Sequence, residues 1–165
     1  MKSQQILPIV KEWQERPLEE VYAVVFMDAI HYHVRSEGRI VKRAVYIALG
    51  IDMNGKKDVL GMYVGENESA KFWHDNWATL STYFKYPEAV RRLIYTTNAI
   101  EGFNRQLRKV TKSKTVFPSD DSLLKMLYLA TMDITKKWTG HRQDWGQIHS
   151  QLEIYFEERL IGHNL

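Results

Sequence analysis

The protein has 165 residues, 44% hydrophobic and 26% charged, and a formal net charge of +3 at pH 7. This composition is typical of one globular domain with a sizeable core, and it excludes a disordered or fibrous protein. The sequence has no cysteine, no apolar run as long as a membrane span and no signal-peptide pattern, which excludes disulfides and predicts a cytoplasmic protein without a membrane partner.

Residues 1–20 are a charged lead-in, and residues 21–65 are predicted to form a three-stranded antiparallel sheet. The first strand begins with the apolar run VYAVVFM, continues through AIHYHVR, and ends at a turn where Gly38 supplies a positive φ. The second strand covers residues 40–51 and the third covers residues 59–65. The Asn-Gly pair between them is typical of a hairpin turn. Three strands joined by two short turns predict a meander.

Residues 66–165 are predicted to form about four helices within the same single domain. The first covers residues 66–84, and the second starts near Glu88. The apolar stripe predicted for the second helix contains Val90, Leu93, Ile94, Thr97, Ile100, Leu107 and Val110.

The last two helices carry their own signals. Ser119 is a predicted N-cap, and Asp120 and Asp121 follow it in the first turn. The buried side of the final helix is predicted to contain Trp145, Ile148, Leu152, Tyr155 and Phe156. The tryptophans at positions 73, 77, 138 and 145 are interpreted as core residues because they lie on helical stripes.

Asp28 directly follows the apolar run of the first strand. A carboxylate there is costly unless it is paired, solvated or bound to a metal ion. Two interpretations stay open: the strand ends and Asp28 meets water, or Asp28 is a metal-binding carboxylate at the centre of the sheet. His31 and His33 share one face of the strand and Asp28 has the other, so both are expected to be surface histidines.

Glu101 is the single acid in the segment TTNAIEGFNRQLRKV. A second stripe at helical spacing, apart from the apolar one, contains Asn98, Glu101, Arg105, Arg108 and Lys112. One interpretation of Glu101 is a helix salt bridge, because it precedes Arg105 by four residues. The other is a metal ligand within a nucleic-acid-binding surface.

Basic residues are concentrated around Glu101. Residues 85–114 contain eight Lys or Arg and two Glu, a local charge of +6, whereas the remaining residues sum to −3. This asymmetry is typical of a surface for a polyanion, although a solvated helix face would look similar. The residues predicted to contact DNA are Arg91, Arg92, Asn98, Asn104, Arg105, Arg108, Lys109 and Lys112.

The segments VVFMDAIHYHVR, RAVYIALGIDMNGKKDVLGMYVGENESAKFW and YPEAVRRLIYTTNAIEGFNRQLRKV closely resemble the catalytic region of Mutator-type transposases of bacterial insertion sequences. The resemblance covers nearly the whole chain. It implies a ribonuclease H-like fold in which an Asp-Asp-Glu triad binds Mg²⁺ or Mn²⁺ and cuts and joins DNA ends. Asp28 in MDAIH matches the first Asp and Glu101 in TTNAIEGFNR matches the final Glu, so both are implied as catalytic metal ligands.

The second Asp of the triad has no match. In the family it follows a further apolar strand, between the equivalents of SAKFW and NWATLSTYF. Here Trp73 is followed directly by HDNW, so that strand and the family's helical insertion are missing. Asp75 lies beside this join, but no strand precedes it, and it is not assigned to the triad. We therefore expect a truncated ribonuclease H-like α/β fold, internally deleted and lacking the family's N-terminal DNA-binding region.

Three functions follow from this pattern. The leading hypothesis is a transposase-derived DNA-binding protein with two of three catalytic acids and impaired strand transfer, located on the nucleoid when bound to DNA. The alternatives are an active oligomer in which a second copy or Asp75 supplies the missing acid, and an oligomerising inhibitor of full-length transposase. The lost fourth strand exposes the edge of VYAVVFM, which predicts a homodimer or larger assembly.

Overall fold

The computed structural model describes residues 6–66, 88–95 and 97–160. The helix predicted over residues 66–84 lies almost wholly outside these ranges. The predictions for Trp73, Asp75 and Trp77 therefore also lie outside the described residues. Within the described ranges the protein combines one antiparallel sheet with helices, which confirms the α/β class.

The sheet is the predicted meander. Its strands are β1 (Tyr22–Ser36), β2 (Arg39–Asp52) and β3 (Lys57–Gly65), in the order β1-β2-β3, with both pairs antiparallel. The two turns use Gly38 and Gly55 at φ of 75° and 78°, a conformation that glycine adopts without strain.

One face of the sheet supports the core. Along β1, Phe26, Ile30 and Val34 are buried and share a face by strand alternation. Their partners across the sheet continue this core, because Leu49 lies opposite Phe26 and Val45 lies opposite Ile30, and both are buried. The helices described below cover this face. Their buried side chains join those of the strands in one continuous hydrophobic cluster.

The charged lead-in contains a helix that the sequence analysis did not predict, α1 (Ile6–Glu15). Val10 is buried, and the Trp13 ring meets Tyr128 edge-on at 5.6 Å between centroids. Arg16, just after the helix, donates to Asp58 at 3.0 Å and to the Val59 carbonyl at 2.8 Å. These contacts with distant residues hold α1 in place.

The helix predicted from Glu88 onward is two helices, α2 (Glu88–Tyr95) and α3 (Asn98–Thr111). The break explains why Thr97, predicted on the apolar stripe, is exposed. Val110 is exposed as well, at 46%, against the prediction. The buried side of the two helices contains Val90, Leu93, Ile100, Phe103, Asn104, Leu107 and Thr111.

The C-terminal helices are α4 (Asp120–Thr135), α5 (Trp145–Tyr155) and α6 (Glu157–Leu160). Ser119 caps α4 as predicted, because its hydroxyl accepts a hydrogen bond from the Ser122 N–H at 3.1 Å. Trp145 is buried and its indole N–H donates to the Met53 carbonyl at 2.9 Å. Tyr155, predicted as buried, is 52% exposed. No helix among the described residues has the length and apolarity needed to cross a membrane.

β1 is an edge strand of the sheet that the described residues form, and only part of its outer side has hydrogen-bond partners among them. Near its C-terminal end, Phe117 bridges to it: the Arg35 N–H donates to the Phe117 carbonyl and the Phe117 N–H donates to the His33 carbonyl, both at 2.8 Å. These contacts show that odd-numbered residues of β1 direct their backbone groups away from β2. Towards its N-terminal end, the backbone groups of Val25 and Met27 on this side have no partner within the described ranges.

Candidate metal centre and nucleic-acid interface

Asp28 lies in the middle of β1, opposite Ile47 of β2. The strand therefore does not end at Asp28, so this part of the first interpretation is wrong, although Asp28 is exposed to solvent as the same interpretation expected. Its side chain belongs to the face that carries Phe26 and Ile30, yet it is exposed. A carboxylate on the core-bearing face thus opens to solvent at the sheet edge.

Two donors hold the Asp28 carboxylate. The Asn104 amide donates from Nδ2 to Oδ2 at 2.6 Å, and the Ala29 N–H donates to Oδ1 at 2.8 Å. Ala29 is odd-numbered, so its N–H points to the free side of β1. The carboxylate consequently lies against the edge of the sheet, between the strand and α3.

Glu101 lies one turn before Asn104 on α3, and residues three apart are neighbours on a helix surface. Its side chain is exposed and accepts a hydrogen bond from the Thr97 hydroxyl at 2.5 Å. No ion pair joins it to Arg105 in the described part of the chain, which does not support the salt-bridge interpretation. The contact between Asn104 and Asp28 therefore brings the two predicted carboxylates to the same junction of β1 and α3.

Two buried polar atoms near this junction lack hydrogen-bond partners among the described residues. They are the Asn104 Oδ1 atom and the Tyr32 hydroxyl. Burial raises the pKa of Tyr32, and the nearby Thr111 hydroxyl and the Arg108 charge act in the opposite direction. The Tyr32 ring meets Phe117 edge-on at 5.8 Å, so the tyrosine is a packing residue behind the site.

His31 and His33 are exposed on the opposite face of β1 from Asp28, as predicted. Within the described ranges, no three residues among His, Cys, Asp and Glu lie close enough together to bind a metal ion. A metal at this junction would therefore be held by two carboxylates and amide or water oxygens.

The predicted basic face is present on α3. Arg105, Arg108, Lys109 and Lys112 are exposed, and none forms an ion pair with another described residue. Cations without carboxylate partners keep their charge available to an anion. Their helix is the one that carries Glu101.

The other residues predicted to contact DNA lie elsewhere. Arg92 is exposed on α2 and pairs with Glu88 at 3.2 Å, while the Arg91 side chain lies outside what the structure describes. Asn98 is exposed at the start of α3, beside an open pocket that Arg142 and Gln143 also line. Asn104 is 2% exposed, so its amide faces Asp28 and not the basic face.

The contact between Asn104 and Asp28 was missed by sequence reasoning. The available signal was spacing, because Asn104 falls between Ile100 and Leu107 on the buried side of α3. A polar residue at a core position needs a hydrogen-bond partner, and that requirement could have placed Asn104 inside the fold.

Comparison with known proteins agrees with the resemblance in the sequence. The profile of "Transposase, Mutator family" matches residues 2–81 and 74–141. The chain is 26% identical to "Probable transposase for insertion sequence element ISRM3-like" of Sinorhizobium fredii, over 96% of this chain and 65% of that protein. It is 26% identical to "Transposase for insertion sequence element ISRM3" of Rhizobium meliloti, over 95% of this chain and 64% of that protein. A shorter stretch of 64 residues is 47% identical to "Transposase for insertion sequence element IS406" of Burkholderia multivorans, covering 39% of this chain and 16% of that protein.

The alignments also show that this chain lacks residues that its relatives have. The chain spans about 65% of the length of the Sinorhizobium relative, and the alignment runs over 259 residues although this chain has only 165. The relative therefore has a long internal segment with no counterpart here. The two matches to the family profile overlap at residues 74–81, a stretch that begins next to the join expected from the sequence after Trp73. Because the two matches together cover most of the chain, the protein belongs to the Mutator family of transposases.

Proposed function

We propose that this protein is a DNA-binding protein associated with transposition, derived from a Mutator-family transposase and impaired in strand transfer. The observation that carries the proposal is the Asn104–Asp28 hydrogen bond, which docks α3 on β1 and brings Glu101 to the same junction. The exposed cations of α3 extend from this junction. A meander with an Asp on its first strand also fits a ribonuclease H-like fold, which we propose for the domain.

The residues at the junction fit a divalent cation. Mg²⁺ is commonly held by one or two carboxylates and keeps several of its waters. Asp28 and Glu101 would supply the carboxylates, and water would supply the remaining oxygen ligands. When bound, Mg²⁺ or Mn²⁺ would polarise a phosphate oxygen of DNA.

The proposed impairment follows from the number of acids. Two-metal phosphoryl transfer needs carboxylates that hold two ions roughly 3.5–4 Å apart. The described part of the chain has no third acid at this junction, and the family's internal segment has no counterpart. Two carboxylates would hold one hydrated ion and position a second one poorly.

The DNA-binding part of the proposal is tested by charge reversal. Arg105→Glu and Arg108→Glu together should abolish binding to a duplex of arbitrary sequence, because both side chains are exposed and free of ion pairs in the described chain. Binding by the unmodified protein should fall steeply with salt, since it releases counterions from phosphates. Fluorescence anisotropy across a salt titration measures both effects.

The matched control is Lys136→Glu with Lys137→Glu, an equal change of charge at the end of α4. Both lysines are exposed, and they lie outside the segment of high positive charge. This variant should bind DNA nearly as well as the unmodified protein. If the α3 variant binds as tightly as the unmodified protein at every salt concentration, the assigned surface is wrong.

The backbone groups of Val25 and Met27 that lack partners among the described residues favour a second candidate, an inhibitor that co-assembles with full-length transposase through the edge of β1. The Arg105→Glu, Arg108→Glu variant separates the two functions. An inhibitor that works by co-assembly should still reduce transposition in cells with this variant, whereas one that works by occupying DNA should not.

A further inference from the structure

Asn104 is only partly satisfied as a buried polar residue. It is 2% exposed and lies on the packed side of α3 with Phe103 and Leu107, yet its Oδ1 atom has no partner among the described residues. A half-satisfied buried amide is less favourable than an apolar side chain of similar shape. Core packing alone therefore does not explain why this position is asparagine. The explanation must come from the hydrogen bond that its Nδ2 group donates.

That group is committed to one acceptor. Nδ2 donates to Asp28 Oδ2 at 2.6 Å, and hydrogen bonds to an ionised carboxylate are shorter and stronger than those between neutral groups. The Ala29 N–H occupies the other carboxylate oxygen at 2.8 Å. With one donor on each oxygen, the carboxylate is restrained in rotation, and each oxygen still has a lone pair available.

We propose that Asn104 is a positioning residue, which holds the Asp28 carboxylate in a fixed orientation beside Glu101. This inference rests on the proposed function of Asp28 and Glu101 as ligands of a divalent cation. Carboxylates that bind metals are usually hydrogen-bonded themselves, and loss of such a partner weakens metal affinity 10–100-fold. Because Asn104 and Glu101 lie on the same helix, docking α3 places the donor and the second carboxylate together.

The contact itself can be tested without metal. In the protein kept in EDTA, the Asn104 side-chain amide protons should resonate downfield and exchange slowly. Asp28→Ala should remove both properties. Thr111→Val, a change from polar to apolar at another buried position of α3, should leave them unchanged, because the Thr111 hydroxyl donates to carbonyls of its own helix and has no hydrogen bond to Asn104 or Asp28 among the described residues. If Asp28→Ala leaves the Asn104 amide signal where it was, the proposal is overturned.

The positioning effect is tested by Mn²⁺ binding, measured by electron paramagnetic resonance on the full chain. Asn104→Leu should weaken Mn²⁺ affinity at least about tenfold. Its thermal unfolding in EDTA should stay similar or improve, because an unpaired buried oxygen is lost. Thr111→Val should bind Mn²⁺ like the unmodified protein. Asn104→Ala serves as a second substitution in case the leucine methyl groups disturb packing, and it should weaken affinity as well.

The outcomes separate this proposal from the proposed function. Unchanged Mn²⁺ affinity in both Asn104 variants would refute the positioning role while leaving the metal site intact. An unmodified protein that does not bind millimolar Mn²⁺ would refute the metal site, and the metal-free spectra would then decide alone whether Asn104 holds Asp28.

Discussion

At the scale of single residues, the site depends on one hydrogen bond, which Asn104 of α3 donates to the Asp28 carboxylate of β1. The Asp28 carboxylate is exposed, but both of its oxygens are hydrogen-bonded, one within β1 and one from α3. Glu101 is less constrained, since its partner Thr97 is also exposed. The pair therefore consists of one fixed carboxylate and one that is free to adjust.

This arrangement leads to a prediction about chemistry. We expect no detectable cleavage or joining of transposon ends with Mg²⁺ or Mn²⁺, because catalysis that relies on fixed geometry suffers severely when a ligand is missing. Incubating the protein with a plasmid that carries such ends, followed by gel analysis, measures it.

Nicking that disappears in both Asp28→Asn and Glu101→Gln would contradict this prediction. If Asp75→Ala also removed the nicking, Asp75 would be the replacement for the missing acid.

Sequence reasoning identified Asp28 as a carboxylate that follows an apolar run and Glu101 as the single acid of a basic segment, and the family resemblance then matched both. It assigned Asn104 to the DNA surface together with the cations of its helix, although the apolar stripe through Ile100 and Leu107 already indicated the buried side of α3. The partner of the Asn104 amide depended on where β1 lies, which no local pattern contains.

At the scale of elements, the strands were predicted within two residues of their observed bounds because hairpin turns and alternation are local. The break between α2 and α3 was not predicted, because the apolar stripe continues through it. α1 was missed for the complementary reason: its packing partners, Tyr128 among them, lie far along the chain.

The turn between β2 and β3 provides a prediction at this scale. A Cβ at Gly55 would lie 2.6 Å from the Trp145 ring, and φ there is 78°. Gly55→Ala should therefore lower the free energy of unfolding by more than about 1 kcal/mol, from backbone strain plus a clash with a buried ring. Thermal unfolding by circular dichroism measures the loss.

Gly38→Ala is the matched control. Its φ is 75°, yet nothing lies within 4 Å of the added Cβ, so it should lose only the contribution from backbone strain. Equal destabilisation by the two substitutions would mean that Trp145 does not pack against the turn as described.

At the scale of the whole molecule, the free side of β1 favours association. Val25 and Met27 are 44% and 59% exposed, and their backbone groups on the free edge lack partners in the described chain. Exposed strand edges without charge or proline pair readily with other chains. We expect a homodimer or larger assembly, and light scattering at micromolar concentration should give a mass above 19.5 kDa.

Val25→Lys should shift the protein towards the monomer, because a charge beside the edge opposes strand pairing. Leu129→Lys is the control, since Leu129 is 46% exposed on α4, away from β1. A clean 19.5 kDa species for the unmodified protein would refute the association, and equal effects of the two lysines would refute the edge as the contact.

The hydrogen bond from the Ala29 N–H to Asp28 has a consequence for solubility. It occupies a backbone donor that would otherwise face outward next to Val25 and Met27, and it places a negative charge beside them. We therefore expect Asp28 to limit how far the exposed edge extends beyond Val25 and Met27, and Asp28→Ala to increase association through it. A carboxylate at this position has a structural role that does not depend on catalysis. The presence of the first acid in this chain is therefore weak evidence that its catalytic centre works.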